Sequence, residues 1–293
     1  MKASLGWIGL GDIGAPMARR LLRAGHDVHV WARRADAAQA LVTEGAVPAP
    51  SPAALARDCK AVFLCVTDAA AVEQLVFGAD GIAAGGGADK LLVDHSTIHP
   101  ERCRALARRL HAACGMPWLD APVSGGRAGA EQGTLAIMVG GDAGALERAR
   151  PWLAAYAGRV THVGGQGAGL VAKSCNQAVV GAAIAAWAEA VNYAGRCGAD
   201  VARVVEAMEG GWADSAIRRQ LVPQMVSDRY GPGAASTMLK DMKIVGEMAR
   251  AAGAAMPINA KVAALFEQQI AAGDDALGPA GLARLYRRGE VKS

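Results

Sequence analysis

Lys173 closes the run Gly167-Ala168-Gly169-Leu170-Val171-Ala172-Lys173, a charged side chain among small and apolar neighbours at the start of a helical stretch. Desolvation there, with the positive partial charge of a helix N-terminus, is expected to lower its pKa. A lysine so tuned can move a proton to or from a substrate oxygen near neutral pH. The competing reading is a surface lysine that snorkels, since lysines mostly lie in water. Asn176 and Gln177 follow three and four residues later, spacings that return to the same helix face. Either amide can hydrogen-bond a substrate or orient the lysine, and the sequence does not say which.

A second chemistry belongs to Gly9-Leu10-Gly11-Asp12-Ile13-Gly14, which follows an apolar strand and opens a helix. In that context the G-x-G-x-x-G spacing points to a pyrophosphate and hence a dinucleotide. Gly9 permits a tight turn, Gly11 lets backbone approach the phosphates, and Gly14 lets strand and helix pack closely. Free N–H groups at the helix start hold the anion. At the end of the next strand, where an acid selects NAD, the chain reads Val30-Trp31-Ala32-Arg33-Arg34. Two arginines favour a 2′-phosphate, so NADP(H) is expected in preference to NAD(H), with NAD(H) open. Ser124, Gly125 and Gly126 follow the carboxyl end of a strand, where α/β sheets bind ligands; a hydroxyl and exposed glycine N–H groups suit a carboxylate. Val66, ending a strand predicted over 61–66, is counted with the cofactor residues. Ser96-Thr97 forms another polar loop at that edge, and His95 beside it is read as incidental.

These groups need rigid elements behind them. Strand and helix patterns alternate from Leu5 to Val163, which implies a doubly wound parallel sheet. A single helix is predicted over 35–44. Glycines at 164, 165, 167 and 169 form a joint, and beyond it the pattern is helical, with one long helix predicted from Leu170 to Gly195. The division is therefore a nucleotide-binding domain over 1–164 and an all-helical domain over 165–293. With 52% hydrophobic residues the chain can fill both cores, whereas its net charge of +4 is scattered. A nucleic-acid surface needs clustered basic residues, so none is expected. No Cys/His spacing resembles a metal site, and the six cysteines are expected to be mostly buried free thiols. The apolar run Ala178–Ala188 falls short of the ~20 residues needed to cross a bilayer, and no signal peptide is evident. No membrane partner is expected, and a soluble cytoplasmic protein is the default.

The stretch Gly9–Ala18, reading GLGDIGAPMA, resembles the opening signature of the β-hydroxyacid dehydrogenases, with Ile13 in place of the usual Met. Three later segments match in order: Asp120-Ala121-Pro122-Val123-Ser124-Gly125-Gly126 running on to Gly133-Thr134-Leu135, then Gly167–Gln177, then Lys240-Asp241. The resemblance implies a Rossmann-type α/β domain joined by a long helix to an all-α domain that catalyses and dimerises. It implies Lys173 as the catalytic lysine and Ser124, Gly125 and Gly126 as substrate-binding, with an amide kept near Asn176 and Gln177. It places Thr97 near the nicotinamide and Lys240 in the cleft near the cofactor. The activity implied is reversible oxidation of a small 3-hydroxy acid to its semialdehyde, in a homodimer or homotetramer.

One departure concerns Gly233, in Tyr230-Gly231-Pro232-Gly233, where the family often has Phe eight residues before the Asp. Either Trp212 fills the space or the substrate pocket is wider; the wider pocket is the expectation. Imine reductases share this architecture but typically replace the lysine with Asp or Tyr, so Lys173 argues against that activity. A non-catalytic NAD(P)-binding scaffold would be expected to have lost the lysine.

Overall fold

The computed structural model describes residues 2–231 and 233–291; Pro232 lies outside them. The chain divides into two compact units, one up to Lys173 and one from Ser174 onward.

In the first unit, among the described residues, nine strands make one sheet. They are β1 (Ser4–Ile8), β2 (Asp27–Trp31), β3 (Val47–Pro48), β4 (Ala61–Leu64), β5 (Leu91–Asp94), β6 (Trp118–Asp120), β7 (Val123–Ser124), β8 (Leu135–Gly140) and β9 (Ala157–Gly164). The order β3-β2-β1-β4-β5-β6 is parallel throughout, and reverses between β1 and β4. That reversal is a topological switch point, where doubly wound sheets bind ligands beyond the strand ends. β6 and β7 both run antiparallel to β8, and β9 lies along the far edge of β8.

The central strands β4 and β5 are buried at every residue, as apolar runs between two helical layers must be. Alternation along β1 feeds two cores: Leu5 and Trp7 join Met17, Leu21, Phe63 and Tyr156, while Ile8 joins Leu55, Leu64 and Leu110 on the other face. Ser51, Asp68 and Asp142 cap the helices Pro52–Asp58, Ala69–Phe77 and Ala143–Leu153 through their side-chain oxygens. The helix expected over 35–44 is instead a 3-10 turn, Ala35–Ala38, followed by the short helix Gln39–Thr43.

The second unit is helical, with no strand among its described residues. The helix Ala168–Arg196 begins in the first unit and continues here, followed by Val201–Ala207, Ala216–Ser227, Ala235–Ala251, Pro257–Ala271 and Leu282–Arg288. Ile184, Trp187, Val191, Met242 and Phe266 are among its core residues. An 18-residue window of this 29-residue helix reaches a mean hydropathy of 1.2, so the helix matches a membrane span by length and composition, which the Ala178–Ala188 run alone does not suggest. Ile184, Ala188 and Val191 are nonetheless buried in the unit's own core. All six cysteines are free, but Cys175 on this helix and Cys197 just past its end are exposed rather than buried.

Candidate functional site

The glycine loop joins β1 to the helix Gly14–Arg23. Gly9 has φ +97°, and a Cβ there would lie 2.0 Å from the Cys65 carbonyl oxygen. A Cβ on Gly14 would lie 2.0 Å from the Gly9 carbonyl oxygen. Both positions are closed by fixed backbone. At Gly11 a Cβ would meet nothing within 4 Å, so the middle of the loop faces open space. Two glycines that shape a turn and one that keeps a face clear make a cradle suited to a pyrophosphate. Leu10 and Ile13 pack against the core, while Asp12 is exposed, 3.9 Å from Arg127. Beyond β2, Arg33 and Arg34 are both exposed, and Arg34 lies 3.8 Å from Asp36.

At the carboxyl ends of β4 and β5, the Val66 N–H donates to Ser96 Oγ at 3.0 Å, and the Ser96 N–H donates to Asp94 Oδ1 at 2.9 Å. These bonds staple the turn carrying Val66 to the one carrying Thr97. Burial pushes the Asp94 carboxyl up to about 7, against the hydrogen bonds from Ser96. His95 stacks against Trp7 and Phe63. Its Nδ1 lies 2.6 Å from the Ala121 carbonyl and its Nε2 3.0 Å from the Tyr156 hydroxyl. A carbonyl only accepts, so Nδ1 carries the proton and Tyr156 donates to Nε2. Burial holds this ring neutral, with its pKa pushed down to about 4.

Asp120 ends β6 and is buried. Its Oδ1 accepts from the Gly167 N–H at 2.7 Å and from Gln166 Nε2 at 3.0 Å; its Oδ2 accepts from the Leu170 N–H at 3.0 Å. Burial pushes the Asp120 carboxyl up, and the backbone N–H bonds pull it down. The next strand, β7, carries Val123 and Ser124, followed by Gly125 and Gly126 with φ of +130° and +61°. Lys173 is 8% exposed, and its Nζ donates to the Val123 carbonyl at 2.9 Å. The fold thus brings Lys173 beside the backbone of the Ser124 loop, although fifty residues separate them in the chain.

In the second unit, Gln177 is buried and its Nε2 donates to Asp241 Oδ2 at 2.6 Å, while Asn176 Nδ2 donates to Gln177 Oε1 at 3.0 Å. Lys240 Nζ lies 3.4 Å from Asp241 Oδ1. The two amides and the Lys-Asp pair therefore share one network. At Gly233 a Cβ would lie 2.9 Å from Gly278 Cα, closer than Cβ atoms approach backbone. The missing side chain reflects a backbone contact, and Trp212, fully exposed, does not fill the space. The sequence marks Ser96 only as part of a polar loop and Asp120 only as the start of a matching segment; for Asp120 the further signal was a polar residue closing a buried strand. Among the described residues no cluster of His, Cys, Asp or Glu suits a metal ion.

Two family models match in tandem. One, the NAD binding domain of 6-phosphogluconate dehydrogenase, covers residues 4–164; the other, NAD-binding of NADP-dependent 3-hydroxyisobutyrate dehydrogenase, covers 167–286. The chain is 37% identical over 279 residues to 2-hydroxy-3-oxopropionate reductase of Escherichia coli, covering 95% of each chain. It is 37% identical over 293 residues to 3-hydroxyisobutyrate dehydrogenase of Pseudomonas aeruginosa, covering 97% of this chain and 98% of that one. The solved structure of Mycobacterium tuberculosis 3-hydroxyisobutyrate dehydrogenase with L-serine superposes with a TM-score of 0.87 at 30% identity, covering 98% of this chain and 100% of that one.

Proposed function

Because the chain belongs to the β-hydroxyacid dehydrogenase family and is an NAD(P)-dependent oxidoreductase, we propose that it interconverts a small 3-hydroxy acid and its semialdehyde, using NADP(H) in preference to NAD(H). The relatives named as 2-hydroxy-3-oxopropionate reductase and 3-hydroxyisobutyrate dehydrogenase share, by their names, an oxygen at C3 of a carboxylic acid; the same substrate class is taken for this chain. The observation that carries the reading is the buried Lys173, whose Nζ stands 2.9 Å from the Val123 carbonyl, next to Ser124.

The open face at Gly11 fits a cofactor pyrophosphate, and Gly9 to Gly14 would hold it. Bound there, a nicotinamide cofactor supplies the hydride acceptor, or the donor in the reverse direction. Arg33 and Arg34 follow β2 where an NAD site carries an acid, which supports a 2′-phosphate. Val66 and Thr97, on turns tied together through Ser96, line the cofactor side. The Ser124 hydroxyl and the N–H groups of Gly125 and Gly126 hold the substrate carboxylate. Lys173 Nζ takes the hydroxyl proton as the carbinol carbon loses hydride, and returns it during reduction. Its bond to the Val123 carbonyl aims the amine without consuming its lone pair. Asn176, Gln177 and Lys240 keep the substrate and cofactor roles that the resemblance implies.

The test is Lys173→Ala, assayed by NADPH oxidation with a panel of semialdehydes. Loss of a general acid/base should lower kcat by roughly 10²–10⁴-fold, with the Kd for NADPH nearly unchanged. A variant that keeps more than about a tenth of wild-type kcat would overturn the assignment.

A further inference from the structure

We propose that Asp120 is a positioning residue, whose carboxylate seats the first turn of the helix Ala168–Arg196 on the sheet and so fixes where Lys173 Nζ stands. The inference rests on the reading of Lys173 as the proton-transfer group. A helix leaves its first N–H groups without intrahelical partners, and a side chain just before the helix usually satisfies them. Here the preceding residues are Gly165, Gln166 and Gly167, and the caps come instead from β6. Asp120 Oδ1 takes the Gly167 N–H at 2.7 Å and Oδ2 takes the Leu170 N–H at 3.0 Å. With both oxygens accepting, the group is bound as a carboxylate.

The seat has no slack. A Cβ on Gly169 would lie 2.4 Å from the Met138 carbonyl oxygen and 2.7 Å from that of Asp120. Lys173 follows Leu170 by less than one turn of about 3.6 residues, so a shift in the cap moves the lysine with it. The lysine then returns to the same short segment, donating to the Val123 carbonyl at 2.9 Å. Asp120 and Val123 bracket Ala121-Pro122 and are each tied to the helix. The start of the helix that carries the lysine is thus held at two points to the segment that leads into the Ser124 loop. Asparagine at 120 offers one acceptor oxygen where two are used, and turns its amide N–H groups toward a backbone donor.

The experiment is a double-mutant cycle of Asp120→Asn and Lys173→Ala in the full-length enzyme, with steady-state kinetics, NADPH titration and amide exchange at Gly167 and Leu170. Asp120→Asn should lower kcat by about tenfold or more, as small misplacements of reacting groups do. The substrate KM should stay within about threefold, since the Ser124 loop is carried by β7 itself. In the Lys173→Ala background the same change should lower kcat by less than about twofold, because a residue acting through the lysine has nothing left to position. Equal fractional losses in both backgrounds would overturn the proposal. So would faster exchange at Gly167 and Leu170 with kcat unchanged. A Lys173→Ala enzyme turning over at the wild-type rate would instead sink the lysine reading, and this inference with it. If Asp120→Asn does not fold, Gln166→Met removes the Gln166 Nε2 bonds to Asp120 Oδ1 and to Cys103 Sγ, and so loosens the carboxylate that holds the two N–H groups. A loss in kcat that vanishes in the Lys173→Ala background then supports the proposal, and no loss overturns it.

Discussion

Replacing Gly11 by alanine tests the phosphate cradle directly. A Cβ at Gly11 meets nothing within 4 Å, so the folded chain has room for it. Alanine also narrows the unfolded ensemble, which is worth about 0.4–1 kcal/mol of stability. At roughly 2–4 °C per kcal/mol for chains a little smaller than this one, the melting temperature should hold or rise by about 1–4 °C. Cofactor binding should suffer, because the methyl group stands between the pyrophosphate and the loop N–H groups. One hydrogen bond to a charged group contributes about 1.5–3 kcal/mol. Losing it should weaken NADPH binding by roughly 10- to 150-fold. Gly14→Ala is the control: its Cβ would lie 2.0 Å from the Gly9 carbonyl oxygen, backbone that cannot swing aside. That variant should be destabilised by about 3 kcal/mol. Thermal melts and NADPH fluorescence titrations separate the two. A Gly11→Ala protein that melts as low as Gly14→Ala, or that binds NADPH like wild type, would refute the reasoning.

Arg33→Ala should raise KM for NADPH about tenfold and leave KM for NADH nearly unchanged, the low end being expected for an exposed guanidinium. Equal loss with both cofactors would show Arg33 to be structural, and a selective effect at Arg34 alone would move the assignment there. The pKa of His95 is pushed down from 6.5 to about 4, so protons favour the unfolded chain. Its contribution, about 3 kcal/mol, is present above pH ~6.5 and lost as pH falls toward ~4. Asp94, pushed up to about 7, acts with the opposite sign over the same range. The readout is therefore the urea stability of wild type minus that of His95→Gln, which should shrink from pH 6.5 to 4; a constant difference would count against a neutral His95.

The strand, glycine turn and helix from Ser4 to Trp31 were legible because apolar periodicity and local turn chemistry agree there. The helix Pro52–Asp58 had a readable start in Ser51-Pro52, an N-cap followed by Pro at the first helical position, and was passed over in a run of alanines. The helix Gly126–Gln132 reads as a loop, since two of its seven residues are glycine and its packing against the Gly14–Arg23 helix outweighs propensity. β3 and β7 have two residues each, too short for any period. The lysine was legible from its neighbours, but its seat was not. Asp120 meets Gly167 and Leu170 across separations of 47 and 50 residues, and only the path of the chain brings them together. The contact that keeps Gly233 bare was hidden for a similar reason, because its partner Gly278 is remote in sequence.

β9 has a colloidal consequence. It is eight residues long, borders the sheet beyond β8, and is largely exposed along its length. An edge of that kind presents backbone donors and acceptors that invite a strand from another molecule. Two register shifts in its pairing with β8 break the flat, regular spacing such an addition needs. Arg159 and His162, both exposed on β9, set polar and charged side chains along the same border. The strand nearest the glycine joint is thus guarded against self-templated aggregation by irregularity and charge, and smoothing either one trades solubility for sheet regularity.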